Sequence, residues 1–508
     1  MVLRRFSGNL YYVAFCLALL PIMLWRDFTP MNELRYLSIA DEALRNHTLF
    51  SFTNHGEPYA DKPPLYFWFV MLGKWLFGTH QMWFLSLASL VPAVITVRTM
   101  DKWSASVMDG ETALTARMVL LTCGLFAGLA VILRMDMLMC MFIVLALRAF
   151  YKMATMPDAC KGEAWLFPVY VFLAVFSKGP VGLLVPLCST FAFLLWKRRI
   201  RQFLQYWGWR TWGVLAAGCL IWFCAVYAEG GKDYLDNLLF HQTIDRAVNS
   251  FHHKEPFYYY AVSVWYSIAP WSLLVLGLLV AAFCKKLIST DLQRFYCTVI
   301  AVTFIMLSCF SSKIEVYLLP AFPFMVYLAM SLLPRFRGEV WLNVLFAVTS
   351  ALFAAALPVV VLVSLHDGTA YLRNALVYVA AAVLSLGGLL SLWRCFRAQK
   401  GLAAGLRVLA SSLTFAIFVG GCALPSINPW IGYAPLCRKA LEVASEKRAE
   451  GIATWNLSRA ENMDVYLGRQ VEVVRKEDME KVHSRHRLVL MMRKRDLWKF
   501  KGTEACVV

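Results

Sequence analysis

The chain is built from apolar stretches divided by short polar corners, and most of these stretches approach the length that a bilayer demands of a spanning helix. That length is about 20 residues. By this measure the 508 residues contain about 13 crossings, near 9–25, 80–99, 113–133, 137–154, 164–177, 180–196, 212–228, 259–283, 295–311, 317–333, 341–365, 373–393 and 404–424. In lipid every backbone polar group must be satisfied internally, which restricts such a chain to a polytopic α-helical membrane fold. Composition agrees: only 16% of the residues are charged, against about 25% in soluble domains. Segment 64–78 is apolar as well. Counting it as a crossing would turn Lys197-Arg198-Arg199-Ile200-Arg201 and Lys285-Lys286 outward, against the retention of Lys and Arg on the cytosolic side. It is therefore read as an interfacial or re-entrant piece.

The net charge of +18 would point to nucleic acid in a soluble protein. Here much of it sits in short loops between apolar spans, where it orients the chain and meets anionic lipid head groups. The first span follows Arg4 and Arg5 with no small-residue cleavage site before Arg26, so it is read as a retained anchor with a cytosolic N-terminus. The division expected is a membrane domain over 1–424 and a tail over 425–508. In the tail, Ile452–Trp455, Val471–Val474 and Leu488–Met491 read as strands between helical stretches, the pattern of a small α/β domain. It has no Gly-rich phosphate loop. Most of the 14 cysteines lie in apolar spans as small apolar residues, and a pairing of Cys437 with Cys506 is possible if the tail is exported.

This orientation sends the polar clusters to one face. The outward side receives loops 26–63 and 229–258, the corners Arg134-Met135-Asp136 and Ser177-Lys178-Gly179-Pro180, and the segment Ser311 to Tyr317. Glu33, Arg35 and Tyr36 open a helical pattern too short and polar to span, which fits a helix lying along the surface. Asp61 and Lys62 precede Pro63-Pro64, which impose an extended approach. Ionisable groups at a membrane boundary are costly and tend to mark function. An acid that can take a proton from an acceptor hydroxyl, beside cations that can neutralise a phosphate leaving group, suits transfer from a phosphorylated lipid. The plain alternative is a salt-bridged loop with no chemistry. Asp136, an acid at a tight corner between spans, is the sharper functional candidate. His252 and His253, with His241, Asp245 and Arg246, lie in the second large loop; their spacing matches no recognised metal pattern, so contact with sugar or phosphate is the preferred role. Phe257-Tyr258-Tyr259-Tyr260 reads equally well as an aromatic belt.

The motifs Asn32-Glu33-Leu34-Arg35-Tyr36 and Tyr59-Ala60-Asp61-Lys62-Pro63-Pro64-Leu65 resemble those of the bacterial aminoarabinose transferases that modify lipid A. More broadly, the chain resembles the protein O-mannosyltransferase superfamily. Arg134-Met135-Asp136, Ser177-Lys178-Gly179-Pro180, Glu255-Pro256-Phe257-Tyr258-Tyr259, Pro270-Trp271-Ser272-Leu273 and Ser312-Lys313 through Tyr317 to Pro323 follow in the same order. The resemblance implies a multi-spanning, inverting glycosyltransferase of the bacterial inner membrane. It would take a sugar from a polyprenyl-phosphate carrier, with no nucleotide or metal, and deliver it to a glycolipid, glycan or protein on the periplasmic face. It also implies that Arg35 and Lys62 contact the donor phosphate, that Tyr59 and Tyr317 line the pocket, and that Lys178 and Lys313 are further phosphate candidates. Where the family carries an acid, this chain has Asn32, an amide that cannot serve as a base at neutral pH. The base is then expected to be Glu33 first, with Asp61 or Asp136 as substitutes. Two other readings are a transporter of lipid-linked sugars and a non-catalytic accessory relative.

Overall fold

The computed structural model describes residues 2–156, 162–239, 254–397, 401–474 and 488–499. Among them, eight helical segments are long and apolar enough to cross a membrane: Met82–Ser106, Asp136–Thr155, Trp209–Leu239, Asp291–Cys309, Glu315–Phe336, Val340–Ser364, Ala375–Arg397 and Gly401–Cys422. Shorter apolar helices fill the spaces between them. The chain is a polytopic helical membrane protein.

In chain order the first nine helices are α1 (Val2–Trp25), α2 (Glu33–Asn46), α3 (Leu65–Phe77), α4 (Met82–Trp103), α5 (Gly110–Leu121), α6 (Gly124–Leu129), α7 (Asp136–Thr155), α8 (Glu163–Lys178) and α9 (Val181–Trp196). With 13 residues, α3 extends about 20 Å, well short of a hydrocarbon core of about 30 Å.

Two segments expected as single helices are broken. The stretch 113–133 divides into α5 and α6 at Thr122-Cys123, and 259–283 divides into Tyr259–Ser267 and Ser272–Cys284. The breaks meet and satisfy each other. The Gly124 amide donates to the Ala269 carbonyl at 2.7 Å, and the Trp271 indole donates to Thr122 Oγ1 at 3.0 Å. Freed backbone groups at membrane depth are tolerated only where protein supplies such partners.

Segment Glu315–Phe336 runs through the middle of the bundle, 94% of its apolar window enclosed by neighbours. On its inner side Tyr327 donates to Asp101 Oδ1 at 2.6 Å. The other carboxylate oxygen accepts from Tyr12 of α1 at 2.5 Å and from Arg117 Nε of α5 at 2.8 Å, and Arg117 stacks 4.5 Å above the Tyr12 ring. One acid on α4 thus ties α1, α5 and the central segment together. A half-buried charge between helices is tolerated when it is paired and hydrogen-bonded in this way.

Outside the bundle, β1 (Thr53–Asn54) and β2 (Glu57–Pro58) form a two-residue hairpin. His55 and Gly56 both take positive φ, 57° and 83°, the backbone such a turn requires. Glu42 of α2 caps it, accepting from the His55 amide at 2.6 Å and the Gly56 amide at 2.9 Å. After the helix Ala434–Glu446, three strands form a parallel sheet in the order β4-β3-β5, with β3 at Gly451–Trp455, β4 at Glu472–Val474 and β5 at Leu488–Met492. This tail packs on the loop regions near α2. Asp27 accepts from the Ala434 amide at 2.8 Å and from the Tyr466 hydroxyl, and Ser38 of α2 donates to Asp464 at 3.1 Å. A side chain at Gly432 would place its Cβ 2.2 Å from Asp27 Oδ2, so that approach admits only glycine.

Candidate active site

The end of α7 that follows the 124–135 corner carries Asp136, a wholly buried acid. Its Oδ2 accepts from Arg134 Nε at 3.0 Å, and its Oδ1 accepts from the Lys178 ammonium, which α8 delivers at its last turn. Lys178 also sits 4.4 Å from the centroid of the Tyr317 ring, at the start of the central segment. Three remote pieces of sequence, 134–136, 178 and 317, therefore converge on one point. Tyr36 joins them from α2, its phenol within electrostatic reach of Arg134, Arg35 and Asp136, and burial pushes its pKa up. Tyr260 lies on the far side, fully buried, donating to the Ile314 carbonyl at 3.4 Å.

On α2 the Arg35 guanidinium lies 5.8 Å from the Tyr36 ring and 5.6 Å from the Tyr59 ring. Its Nη2 donates to Asn32 Oδ1 at 3.2 Å. Asn32 precedes α2 but caps no helix amide with its side chain; it is a neutral partner for Arg35. Tyr59 is fixed from behind. Tyr234, in the helix Trp209–Asp236, donates to the Tyr59 carbonyl at 2.8 Å and accepts from the Phe52 amide at 2.9 Å. Glu229 on the same helix accepts from the amides of Leu49, Phe50 and Ser51 at 2.7–3.0 Å. The centre thus combines three cations, Arg35, Arg134 and Lys178, with one carboxylate and several phenols. That surplus of positive charge favours an anion.

Glu33 stands apart from this chemistry. It is fully buried, and its carboxylate accepts from Arg26 at 2.6 and 2.7 Å, from the Thr29 amide and hydroxyl at 2.8 Å, and from the Leu133 amide at 2.8 Å. Burial alone would raise its pKa. The Arg26 hydrogen bonds and charge, with the Leu133 and Thr29 amides, outweigh that and hold it below the ordinary carboxylate range. The expectation of Glu33 as first-choice base meets a group that is already saturated, whose hydrogen bonds lock loop 26–33 to the residue preceding Arg134.

The remaining candidates are placed as follows. Asp61 and Lys62 are half-buried in the extended stretch before Pro63-Pro64, Asp61 within electrostatic reach of Tyr234. Lys313 is buried, but its ammonium turns to the Glu255 carbonyl at 2.9 Å and ties 254–255 to 312–315. His252 and His253, with His241, Asp245 and Arg246, fall outside the described residues. Among the described residues no group of three or more His, Cys, Asp or Glu is arranged to hold a metal ion. Sequence reasoning passed over Arg134 as a site residue although it lay in a motif already quoted. It missed Tyr234 and Glu229, whose roles depend on contacts across roughly 180 positions of sequence.

The chain as a whole is similar to several known proteins. The family described as dolichyl-phosphate-mannose-protein mannosyltransferase matches residues 61–226. The chain is 26% identical over 338 residues to the undecaprenyl phosphate-alpha-4-amino-4-deoxy-L-arabinose arabinosyl transferase of Erwinia tasmaniensis, covering 63% of this chain and 58% of that one. It is also 26% identical over 261 residues to the transferase of that name from Pseudomonas savastanoi, covering 51% of this chain and 48% of that one. An uncharacterised protein of Aquifex aeolicus is 26% identical, with 58% of this chain and 57% of that one covered. The chain thus spans about half the length of the curated relatives it matches. The crystal structure of ArnT from Cupriavidus metallidurans bound to undecaprenyl phosphate superposes with a TM-score of 0.76 at 17% identity, covering 98% of this chain and 95% of that one; its apo form gives 0.74. The resemblance to the aminoarabinose transferases and the mannosyltransferase superfamily is borne out, and the fold is shared along nearly the whole chain.

Proposed function

We propose that the protein is an inverting glycosyltransferase of the bacterial inner membrane, moving a sugar from a polyprenyl-phosphate carrier to an acceptor hydroxyl on the periplasmic side. The observation that supports this most is the Asp136 centre: one buried carboxylate held between Lys178 and Arg134, with Arg35 adding further positive charge. Relatives named as transferases of an undecaprenyl-phosphate sugar favour transfer over transport. In this reading the donor phosphate settles on Lys178, Arg134 and Arg35, and Lys62 closes on it from the extended stretch. Binding phosphate draws the Lys178 ammonium away from Asp136 and frees Oδ1 as a proton acceptor. The acceptor oxygen then forms its bond to the anomeric carbon from the face opposite the phosphate. The carbon–oxygen bond to phosphate breaks, its electron pair leaves on the phosphate oxygen, and the acceptor proton passes to Asp136. Cations fixed where this charge develops lower the barrier. Asn32 orients Arg35, Tyr59 and Tyr317 wall the sugar pocket, and Glu33 positions the corner that carries Arg134. We assign the membrane part to 1–424 and a periplasmic α/β domain to 425–508, with about 13 crossings and a cytosolic N-terminus.

The test is sugar transfer from undecaprenyl-phosphate donors by the purified full-length chain. Asp136→Asn should lose about 10²- to 10⁴-fold in rate, and Asp61→Asn should retain most of it. Transfer by Asp136→Asn at the wild-type rate would discard this mechanism, and a wild-type chain inert with every donor would leave the accessory role.

A further inference from the structure

At the end of the bundle opposite Asp136 lies a cavity that the transfer chemistry does not use. It occupies about 250 Å³ between the start of α5, the turn after Glu315–Phe336, and the facing ends of the helices Ala375–Arg397 and Gly401–Cys422. Tyr317 and Phe336 mark the two ends of the central segment, about 30 Å apart at helical rise, so this cavity and the Asp136 centre sit at opposite boundaries of the membrane.

Its lining is of two kinds. Leu333, Phe336 and Phe396 give an apolar wall. Arg337 and Arg407 bring positive charge, and Glu111 brings negative charge with Asp109 beside it. Asp109 already caps α5, accepting from the Thr112 amide at 2.8 Å. Glu111 and Arg337 reach solvent at the cavity mouth and Arg407 is half-buried, and among the described residues none of the three is in an ion pair. Two arginines face two acids here, so the lining has no surplus of either sign, unlike the Asp136 centre with its three cations to one carboxylate. Charges of both signs against an apolar wall match a ligand that carries both charges and an apolar body.

We propose that this cavity seats the head of a zwitterionic phospholipid, with its phosphate on Arg337 and Arg407 and its ammonium on Glu111. The size agrees: the volume equals about eight waters at about 30 Å³ each, the bulk of a phosphoethanolamine group. The acyl chains would then run out along the apolar wall into the bilayer, anchoring the turn at Arg337-Gly338, where Gly338 has a φ of 85°.

Native mass spectrometry of the full-length protein released from nanodiscs of equimolar dioleoyl phosphatidylethanolamine and phosphatidylglycerol tests this. Retained ethanolamine lipid should exceed glycerol lipid by about five-fold, the scale of one favourable ionic contact at a membrane surface. Glu111→Gln should erase that preference while lipid remains bound, and Arg407→Gln should lower retention of both. The ratio is read on folded protein alone, so a loss of yield does not affect it. Equal retention of the two lipids by wild type, or a preference unchanged in Glu111→Gln, overturns the proposal. Displacement of the lipid by millimolar O-phosphoethanolamine would also overturn it, in favour of a soluble ligand.

Discussion

Glu33 shows how a residue's chemistry depends on what reaches it. In sequence it is an acid beside an arginine, and nothing in the spacing reveals that Arg26, Thr29 and the Leu133 amide all turn toward it. Asp136 reads the same way in sequence but is held only by two cations, Lys178 and Arg134, which a phosphate can compete for. Glu33→Gln leaves Arg26 buried without its counter-charge, and removing one partner of a buried pair costs about 3–5 kcal/mol. The variant should melt well below wild type in detergent, and its residual transfer should fall because Arg134 shifts with Leu133. The pH dependence has a definite sign. Because the folded-state pKa of Glu33 is depressed, its stabilisation is complete above the ordinary carboxylate range and is lost as pH falls through the folded value. Melting curves of wild type and Glu33→Gln should therefore converge in acid, and a gap that stays constant across that range would show that the clamp does not depend on the charge of Glu33.

At the scale of elements, a bilayer imposes apolar length, and eight of the expected crossings coincide with described helices long and apolar enough to span. Helix Asp291–Cys309, for example, lies close to the expected 295–311. Length could not predict the breaks at Thr122-Cys123 and near Ala269, because each exists by virtue of the other. Gly124 and Trp271 find their partners some 145 residues away. Nor could it place the tail against α2. That junction carries Asp464, whose pKa is raised, first by burial and then by Asp41, with His55, Ser38 and Arg45 opposing. Its folded state therefore holds a proton more tightly than the unfolded chain, so docking weakens as pH rises from the ordinary aspartate range through the raised value. Hydrogen exchange of Ala434–Glu446 should quicken across that window in wild type and stay level in Asp464→Asn. An identical pH response in the variant would move the effect to another group.

Across the whole molecule the two proposed sites lie at opposite ends of the bundle, the acid–lysine centre at one and the mixed-charge cavity at the other, with the enclosed segment Glu315–Phe336 between them. Charge bias in the loops implies which boundary faces outward. In a background without reactive native thiols, Glu57→Cys should react with an impermeant maleimide on intact cells, and Arg198→Cys only after permeabilisation. Labelling of both from the same side would reverse the proposed orientation. The carboxylate of Asp101 carries a further implication, one about time. Its hydroxyl and guanidinium partners come from Tyr12, Arg117 and Tyr327, and the last leaves the ribosome roughly 300 residues after the first. At about 5–20 residues per second, the cluster is complete only on the order of 15 to 60 s after Tyr12 is made. Until Tyr327 arrives, Asp101 is held by Arg117, 16 residues further on, and by Tyr12, so the early helices settle on one another while the place of the central segment is kept open.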